Sequence, residues 1–365
     1  QLNIVVAGCV AQAEGKEIIR RQPIVDIVVG PQTYHRLPEI LNRLSNRQRK
    51  IVDTEFPIEN KFDELKKIRI NKNAVAFLSI QEGCDKFCSF CVVPYTRGAE
   101  YSRPVLDIIS EAKNLIHQGA KEICLLGQNV NAYHGLYKNR SMTLSELIME
   151  IANLSGVKRI RYMTSHPADM SEDLIVTHGK VEILMPYLHL PVQSGDNNVL
   201  EFMNRKYTAE SYIKIINKLR NVREDMAFSS DFIVGFPGET KDAFNNTLNL
   251  VKEVNYCQAY SFKYSRRPGT PGSLLKGQVA ENIKEERLSE LQSILNEQQF
   301  NFNRRFIGKS FDVLLERVGK KDNQLVGKSP YMQAIHVITK NYKIGDIVNI
   351  NILSADKNSL EGKCI

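Results

Sequence analysis

The chain has 365 residues, 42% of them hydrophobic and 25% charged, a balance typical of a folded protein with two or three domains. No apolar run approaches the roughly 20 residues of a membrane span, and no charged-then-apolar leader opens the sequence. Seven cysteines, odd in number and irregularly spaced, do not form a disulfide framework. We therefore expect a cytoplasmic protein with no membrane partner.

The net charge of +8 is concentrated at the C-terminal end of the chain. Residues 301–365 hold 11 Lys and Arg against 6 Asp and Glu, which is +5 of the excess. A basic module on a nearly neutral body suggests contact with a polyanion. On charge alone, a solvated basic surface explains the excess equally well.

The first elements predict part of a parallel α/β unit. Strands over 3–8 and 25–30 alternate with helices over 12–21 and 34–44. Two strands and two helices leave a sheet edge bare, so we expect the sequence to begin inside a domain. Residues 45–73 are polar, with isolated apolar positions, and read as a linker.

Beyond the linker, a strand followed by a helix recurs six times. The segment over 105–117, for example, places its apolar residues on one helical face. Six parallel strands with crossover helices predict an open or partial (β/α) barrel rather than the closed eight-stranded form. The predicted strands are Val75–Ile80, Glu122–Gly127, Arg159–Thr164, Tyr187–Pro191, Ala227–Gly235 and Cys257–Tyr264.

The last part of the chain predicts one long helix and then strands alone. The helix covers 278–306, and alternating segments follow over 310–318, 324–338 and 346–365. Such a run predicts a small antiparallel β-barrel of the kind that lies along nucleic acid. We therefore divide the sequence into four parts: an incomplete α/β domain over 1–60, a linker over 61–73, a partial barrel over 74–300 and the small barrel over 301–365.

Three cysteines, Cys84, Cys88 and Cys91, lie within eight residues, directly after the first strand of the predicted barrel. Three thiolates on a four-iron cluster leave one iron open, and S-adenosylmethionine (SAM) can chelate it through its amino and carboxylate groups. The spacing C-x3-C-x2-C resembles the radical-SAM signature, in which the position of Phe90 packs near the SAM adenine. A zinc site is the other reading, although zinc sites usually use C-x2-C and require a fourth ligand.

Further polar and glycine-rich segments follow the other strands, where active-site groups of such barrels gather. His166 could act in acid–base or binding chemistry, although a lone loop histidine is more often a surface residue. His189, inside a strand, is more often a satisfied core histidine. The predicted SAM contacts in these loops are Gly127, Gln128, Asn129, Gly235, Pro237, Gly238, Glu239 and Arg266. For each of these loops a plain turn or solvated loop is the other reading.

Several motifs together resemble the radical-SAM methylthiotransferases over essentially the whole chain. Within that family the resemblance is to the branch that modifies N6-isopentenyladenosine in tRNA. The C-terminal barrel resembles the TRAM domain, an RNA-binding module. The motifs are Gly8–Gln12, Glu82–Gly98, Leu126–Asn131, Thr164–Pro167, Leu188–Gly195 and Asp231–Glu239.

The resemblance implies the reaction and its cofactors. A cluster on the cysteine triplet would reduce SAM to a 5′-deoxyadenosyl radical, which would abstract hydrogen from carbon 2 of the adenosine beside the anticodon. A second 4Fe-4S cluster would deliver a sulfur methylated by another SAM. The implied partners are the tRNA anticodon stem-loop and an electron donor such as flavodoxin or ferredoxin, with the enzyme a monomer. The catalytic residues stay unassigned.

One departure from the family concerns the second cluster. The family holds it with three cysteines, and Cys9 matches only the third, since the first two would lie upstream of Gln1. We therefore expect a truncated chain that cleaves SAM but does not complete sulfur insertion. Two other functions fit the sequence: a methylthiotransferase for threonylcarbamoyladenosine in tRNA or for an aspartate of a ribosomal protein, and a non-catalytic, zinc-stabilised RNA-binding protein.

Overall fold

The N-terminal unit is a small parallel sheet with helices beside it. The computed structural model describes residues 2–45, 50–56, 62 and 73–365. Within those residues, three short strands pair in chain order, each in parallel with the next. The elements are β1 (Val5–Ala7), α1 (Cys9–Glu14), α2 (Lys16–Arg21), β2 (Ile27–Val29), a 3-10 turn (Pro31–Arg36), α3 (Leu37–Ser45) and β3 (Ile51–Asp53).

Two predictions for this unit need correction. The helix predicted over 12–21 is two short helices, because Gly15 has a φ of 49° and ends the first one. The interpretation of 45–73 as a linker is wrong at its start, since β3 adds a third strand there. Its three residues are too short to show an alternating pattern. The linker predicted over 61–73 lies outside the described residues except at its two ends, near 62 and 73.

The middle of the chain forms a partial barrel of six parallel strands within residues 73–365. The strand over 122–126 pairs with the strands over 75–79 and 159–162, and the strand over 227–234 pairs with the strands over 187–189 and 258–263. A parallel bridge between Ile160 and Leu184 joins the two groups. The strands are β4 (Val75–Ser79), β7 (Glu122–Leu126), β10 (Arg159–Tyr162), β11 (Tyr187–His189), β12 (Ala227–Val234) and β13 (Gln258–Lys263). All six predicted strands are confirmed, with ends that differ by up to two residues.

Helices cover the barrel, and their amphipathic faces bury leucine, isoleucine and valine against the strands. Capping boxes start two of them, at Thr143 and at Thr208. The remaining elements are β5 (Gln81–Glu82), α4 (Val93–Arg97), β6 (Tyr101–Ser102), α5 (Val105–His117), β8 (His134–Tyr137), β9 (Arg140–Thr143), α6 (Leu144–Ala152), α7 (Glu172–Lys180), α8 (Asn197–Phe202), α9 (Ala209–Val222), α10 (Lys241–Val254) and α11 (Glu281–Arg304).

The C-terminal segment closes into a five-stranded barrel, within residues 310–364. Four of its five pairings are antiparallel, as predicted, but β16 and β18 pair in parallel. Closure needs this pairing, since it joins the hairpin β15-β16 to the hairpin β17-β18. The strands are β14 (Ser310–Val318), β15 (Gln324–Lys328), β16 (Ala334–Ile338), β17 (Ile347–Ala355) and β18 (Ser359–Cys364).

The small barrel packs against the amino ends of the core strands. Tyr187 and Ala227, each the first residue of its strand, share an apolar cluster with the inner face of the small barrel. Arg159 donates hydrogen bonds to the Lys328 and Asp312 carbonyls, at 2.8 and 2.7 Å. The opposite, carboxyl ends of the core strands are therefore the ends left for a site.

Two observations bear on the broad class of the protein. No helix in the described ranges combines the length and the hydropathy that crossing a membrane would require. All seven cysteines are free thiols.

Candidate active site

A cleft opens at the carboxyl ends of the core strands. It encloses about 600 Å³ of empty space, counting the solvent at its mouth, which is within the range of small-molecule sites. Residues of β11 and β12 and of the loops after β7, β10 and β11 contribute to its walls. Its lining is Cys84, Lys86, Cys88, Phe90, Cys91, Val93, Gln128, Asn129, Thr164, Ser165, His166, His189, Pro191, Gln193, Arg205 and Asp231.

The three cysteines of the triplet all face this cleft. Their loop has an unusual backbone, with Phe87 at a φ of 47°, which a bulky residue adopts only under constraint. The constraint comes from Asn204, whose side-chain amide donates to the carbonyls of Lys86 and Phe87. The loop is therefore held in one shape by the segment after α8.

Hydrogen bonds reach two of the three sulfur atoms. The backbone N–H of Val93 donates to Cys91 Sγ at 3.4 Å, and Nη1 of Arg205 donates to Cys88 Sγ at 3.4 Å. Burial raises the pKa of the Cys84 thiol to about 11, and it also raises the pKa of Cys91. Both are neutral thiols at pH 7 unless a metal displaces their protons.

The loop after β7 is tied to the cysteine loop. Oε1 of Gln128 accepts from the Gly83 N–H at 2.9 Å. Asn129 Nδ2 donates to Asp169 Oδ2 at 2.8 Å, and Asp169 Oδ1 pairs with Lys86 at 2.6 Å. Gln128 and Asn129, both predicted SAM contacts, thus lie in the cleft beside the cysteines.

Three buried polar atoms in the cleft wall have no partner among the described residues: Asn129 Oδ1, Ser165 Oγ and His166 Nε2. His166 Nδ1 accepts the Ala168 N–H, so its proton is on Nε2, which is a buried donor in a residue of the cleft wall. Burial lowers the pKa of His166 to about 2, so the ring stays neutral at physiological pH. Unpaired buried polar atoms are costly, so this wall is shaped for a polar ligand.

Other predicted SAM contacts use their polar groups within the fold. Oε1 of Glu239 accepts the Gly235 N–H at 2.8 Å and pairs with Arg287 at 2.7 Å. Arg266 donates to the Ser273 carbonyl at 2.6 Å. Gly127, Gly235, Pro237, Gly238, Glu239 and Arg266 are not part of the cleft lining, so their assignment to SAM stays a prediction.

Phe90 is both in the cleft lining and packed on an apolar cluster that includes Phe236 and Tyr264. Phe236 belongs to the glycine-rich turn after β12. The turn therefore supports the wall next to the cysteine loop.

Family models and curated relatives match this arrangement. The Radical SAM superfamily model matches residues 78–251, and the TRAM domain model matches residues 304–365. A tRNA-2-methylthio-N(6)-dimethylallyladenosine synthase of Sphingopyxis alaskensis is 54% identical over 98% of this chain and 81% of its own length. The proteins of the same name in Wolbachia pipientis and Agrobacterium fabrum are 55% and 54% identical, covering 99% of this chain and 83% and 80% of themselves. The chain belongs to the radical-SAM methylthiotransferase family.

Solved structures agree with this fold. A radical SAM methyltransferase of Kitasatospora setae, TsrM, matches 74% of this chain and 57% of its own with a TM-score of 0.57. The cobalamin-dependent SAM radical enzyme OxsB matches 80% of this chain and 43% of its own with a TM-score of 0.53. Identities of 14% and 12% make this a likeness of fold.

A radical-SAM methylthiotransferase requires a 4Fe-4S cluster and SAM, and the cleft fits both. The thiols share one wall, although in the described part of the chain no three His, Cys, Asp or Glu groups converge tightly enough for a single metal ion. A four-iron cluster distributes its thiolates over different irons, so sulfur atoms facing one cleft suffice. The unpaired atoms of Asn129, Ser165 and His166 fit the polar groups of SAM.

Cys9 begins α1, on the side of the N-terminal unit that contacts α4. The Arg97 guanidinium donates to Glu82 Oε1 at 2.8 Å, and Glu82 and Cys9 are among the groups that raise the pKa of Arg97. Gln32 Nε2 donates to the Arg97 carbonyl at 2.6 Å. The sequence contains no other cysteine before Cys84, so the residues present do not fit a second cluster with three protein ligands.

Sequence reasoning missed three charged residues of the site. Arg205 contacts Cys88, while Lys86 and Asp169 form the ion pair that connects the cysteine loop to the wall. Lys86 lies inside the triplet and could have been found there. Arg205 lies between two helices, and no local pattern distinguishes it from an exposed arginine.

Proposed function

We propose that this chain modifies tRNA, inserting a methylthio group at carbon 2 of N6-isopentenyladenosine beside the anticodon. The observation that carries the proposal is the triplet Cys84, Cys88 and Cys91 facing one cleft whose other wall holds unpaired polar atoms. The name shared by relatives of 54–55% identity supports this substrate over threonylcarbamoyladenosine or a ribosomal protein.

The cysteine triplet would hold the 4Fe-4S cluster, with SAM beside it in the same cleft. When bound, the reduced cluster supplies the electron that cleaves SAM to a 5′-deoxyadenosyl radical able to remove hydrogen from carbon 2. Asn129 Oδ1 is an acceptor suited to the SAM amino group, while His166 Nε2 and Ser165 Oγ are donors suited to its carboxylate. The hydrogen bonds from Asn204 to the Lys86 and Phe87 carbonyls hold the cysteine loop in place before the ligands arrive.

The tRNA partner is supported by the TRAM match and by exposed lysines. Lys320, Lys321, Lys340 and Lys343 lie in two loops at the end of the small barrel away from the core. The two loops contact one another, since the Thr339 N–H donates to the Asn323 carbonyl. We further propose that the protein is a cytoplasmic monomer that takes electrons from a flavodoxin or ferredoxin. Its proposed domain boundaries lie at residues 60, 73 and 300.

The second cluster of the family has only Cys9 as a ligand in this sequence. We derive no sulfur-transfer step through it.

The test is SAM cleavage with isopentenylated tRNA that carries deuterium at carbon 2 of the modified adenosine. After anaerobic reconstitution and reduction, deuterium should appear in 5′-deoxyadenosine, and Cys88→Ala should abolish the product. Transfer from threonylcarbamoyladenosine tRNA alone would overturn the substrate assignment.

A further inference from the structure

Among the described residues that line the cleft, Arg205 is the only arginine, and its guanidinium contacts a sulfur of the cysteine triplet. It is only 4% exposed. Its Nε donates to the Tyr207 hydroxyl at 2.8 Å, its Nη2 to the Pro191 carbonyl at 2.6 Å and its Nη1 to Cys88 Sγ at 3.4 Å. The three contacts fix the plane of the guanidinium.

The charge of Arg205 lacks a carboxylate partner. In the segments that the structure describes, no Asp or Glu forms an ion pair with it, and its guanidinium contacts only the Pro191 carbonyl, the Tyr207 hydroxyl and the Cys88 sulfur. A buried cation without a counter-charge is strongly unfavourable. The protein therefore requires an anion at this place, and the sulfur of Cys88 is already in contact.

The backbone around Arg205 indicates that its position is imposed. Asn204 and Lys206, its neighbours on both sides, have φ values of 59° and 58°. Left-handed residues are kept where surrounding contacts determine them, and they cluster at functional sites. Here the Asn204 amide holds the cysteine loop, and the Tyr207 hydroxyl donates to the Val192 carbonyl at 2.8 Å.

We propose that Arg205 is a positioning residue that hydrogen-bonds the Cys88 sulfur of the cluster and raises the reduction potential of that cluster. The inference rests on the proposed function, in which the triplet holds the cluster. Reduction adds one electron, taken from an external donor, beside a fixed positive charge in a medium of low dielectric constant. The reduced form is thereby stabilised more than the oxidised form.

The test compares wild type with Arg205→Gln and Arg205→Lys after anaerobic reconstitution. Iron and sulfide content reports loading, and a redox titration followed by electron paramagnetic resonance reports the midpoint potential. We expect Arg205→Gln to lower the reduction equilibrium constant at least about tenfold, or about 59 mV for one electron, and Arg205→Lys to lower it less. Arg140→Gln, which breaks an exposed pair with Glu146, is the matched control and should leave the midpoint unchanged.

The outcomes separate the inference from the function on which it rests. A wild-type protein without iron and sulfide would refute the proposed cluster itself. If Arg205→Gln holds a full cluster and its midpoint potential is unchanged, the inference is wrong but the proposed function stands. If that variant also binds SAM more weakly, Arg205 contacts the SAM carboxylate instead. If Arg205→Gln does not load, Arg205→Lys decides: a lowered midpoint supports the inference, and a wild-type midpoint contradicts it.

Discussion

Phe87 lies in the cysteine loop and Tyr95 shortly after it, and both are exposed aromatic residues. Phe87 is 50% and Tyr95 47% exposed, and their rings meet edge to face with centroids 6.1 Å apart. A nucleotide taken out of an RNA loop is usually stacked on such side chains. Their place beside the cysteine loop makes them the natural platform for the reacting adenine.

We predict that Tyr95→Ala weakens binding of the isopentenylated anticodon stem-loop. Loss of one base–aromatic stack costs about 1–3 kcal/mol, or roughly 5- to 150-fold in Kd. Fluorescence anisotropy with labelled RNA measures it. Phe300→Ala, an exposed aromatic on α11, is the control and should bind as wild type does. Equal affinity for Tyr95→Ala and the control would contradict the role of this platform.

The sequence was informative about single residues where the signal is local. The place of Cys84, Cys88 and Cys91 in the cleft could be predicted because their spacing puts three thiols on one loop. The place of Asn129 could be predicted because it directly follows a strand. Arg205 could not be predicted, since its burial depends on the Pro191 carbonyl and Cys88, which are distant in sequence. The roles of Glu239 and Arg266 as internal hydrogen-bonding groups likewise depend on Arg287 and Ser273.

Helix α7 packs on β10 through a buried histidine. His178 is 1% exposed, and its Nε2 lies 2.7 Å from the Tyr162 hydroxyl. Burial lowers the pKa of His178 to about 3 from an ordinary 6.5. Below pH 6.5 the unfolded chain therefore binds a proton that the folded chain does not. This contribution to stability is present above pH 6.5 and is lost as the pH falls toward 3.

We predict that in His178→Gln the free energy of unfolding falls less steeply than in wild type as the pH drops below 6.5. In wild type this residue lowers the free energy of unfolding by about 1.4 kcal/mol for each pH unit well below 6.5. Urea unfolding followed by circular dichroism between about pH 7 and pH 5 measures the slope. His134→Gln, at an exposed position, should keep the wild-type slope. A variant slope as steep as that of wild type would show that His178 titrates normally.

The docking of the small barrel on the core depends on buried charge. The Arg161 side chain is 1% exposed and pairs with Glu122 at 3.0 Å. It also donates to the carbonyls of Ser329 and Pro330, at 2.8 Å each. One side chain thus joins two core strands and the small barrel.

We predict that Arg161→Met lowers the free energy of unfolding by about 3–5 kcal/mol, because Glu122 is left as a buried unpaired charge. Urea unfolding at fixed pH measures the change. Arg140→Met breaks an exposed pair with Glu146 and should cost less than about 1 kcal/mol. Similar losses in the free energy of unfolding for the two variants would show that Arg161 stabilises the protein no more than an exposed arginine does.

The strands themselves show how far a sequence pattern reaches at this scale. The six core strands were predictable because apolar runs alternate with amphipathic helices. The three-residue β3 was not predictable, since it is too short to carry a pattern and owes its existence to pairing with β2. The parallel pairing of β16 with β18 depends on barrel closure, which no local pattern encodes.

Across the whole molecule, the cleft and the small barrel lie at opposite ends of the core strands. Strand β12 has eight residues, so these ends are separated by roughly 25 Å. The lysine-bearing loops lie beyond the docked end, because β15 begins at one of them and ends at Arg159. A substrate that contacts both regions must be an extended RNA rather than a nucleoside.

We predict that Lys340→Gln combined with Lys343→Gln weakens stem-loop binding and reduces its salt dependence. If each lysine neutralises one phosphate, the slope of log K against log salt falls by about 2. Affinity measured at several salt concentrations gives the slope. The control combines Lys113→Gln with Lys158→Gln, which removes the same charge from exposed positions on the partial barrel and should keep the wild-type slope. Equal slopes for the two double variants would place the RNA elsewhere.

The central claim is that Cys84, Cys88 and Cys91 hold a 4Fe-4S cluster in the cleft. The direct measurement is iron and acid-labile sulfide per chain after anaerobic reconstitution, for wild type and Cys88→Ala. We predict about four of each per wild-type chain and loss of both in Cys88→Ala, with Cys257→Ala retaining them. A wild-type chain that binds one zinc ion and no sulfide would contradict the account.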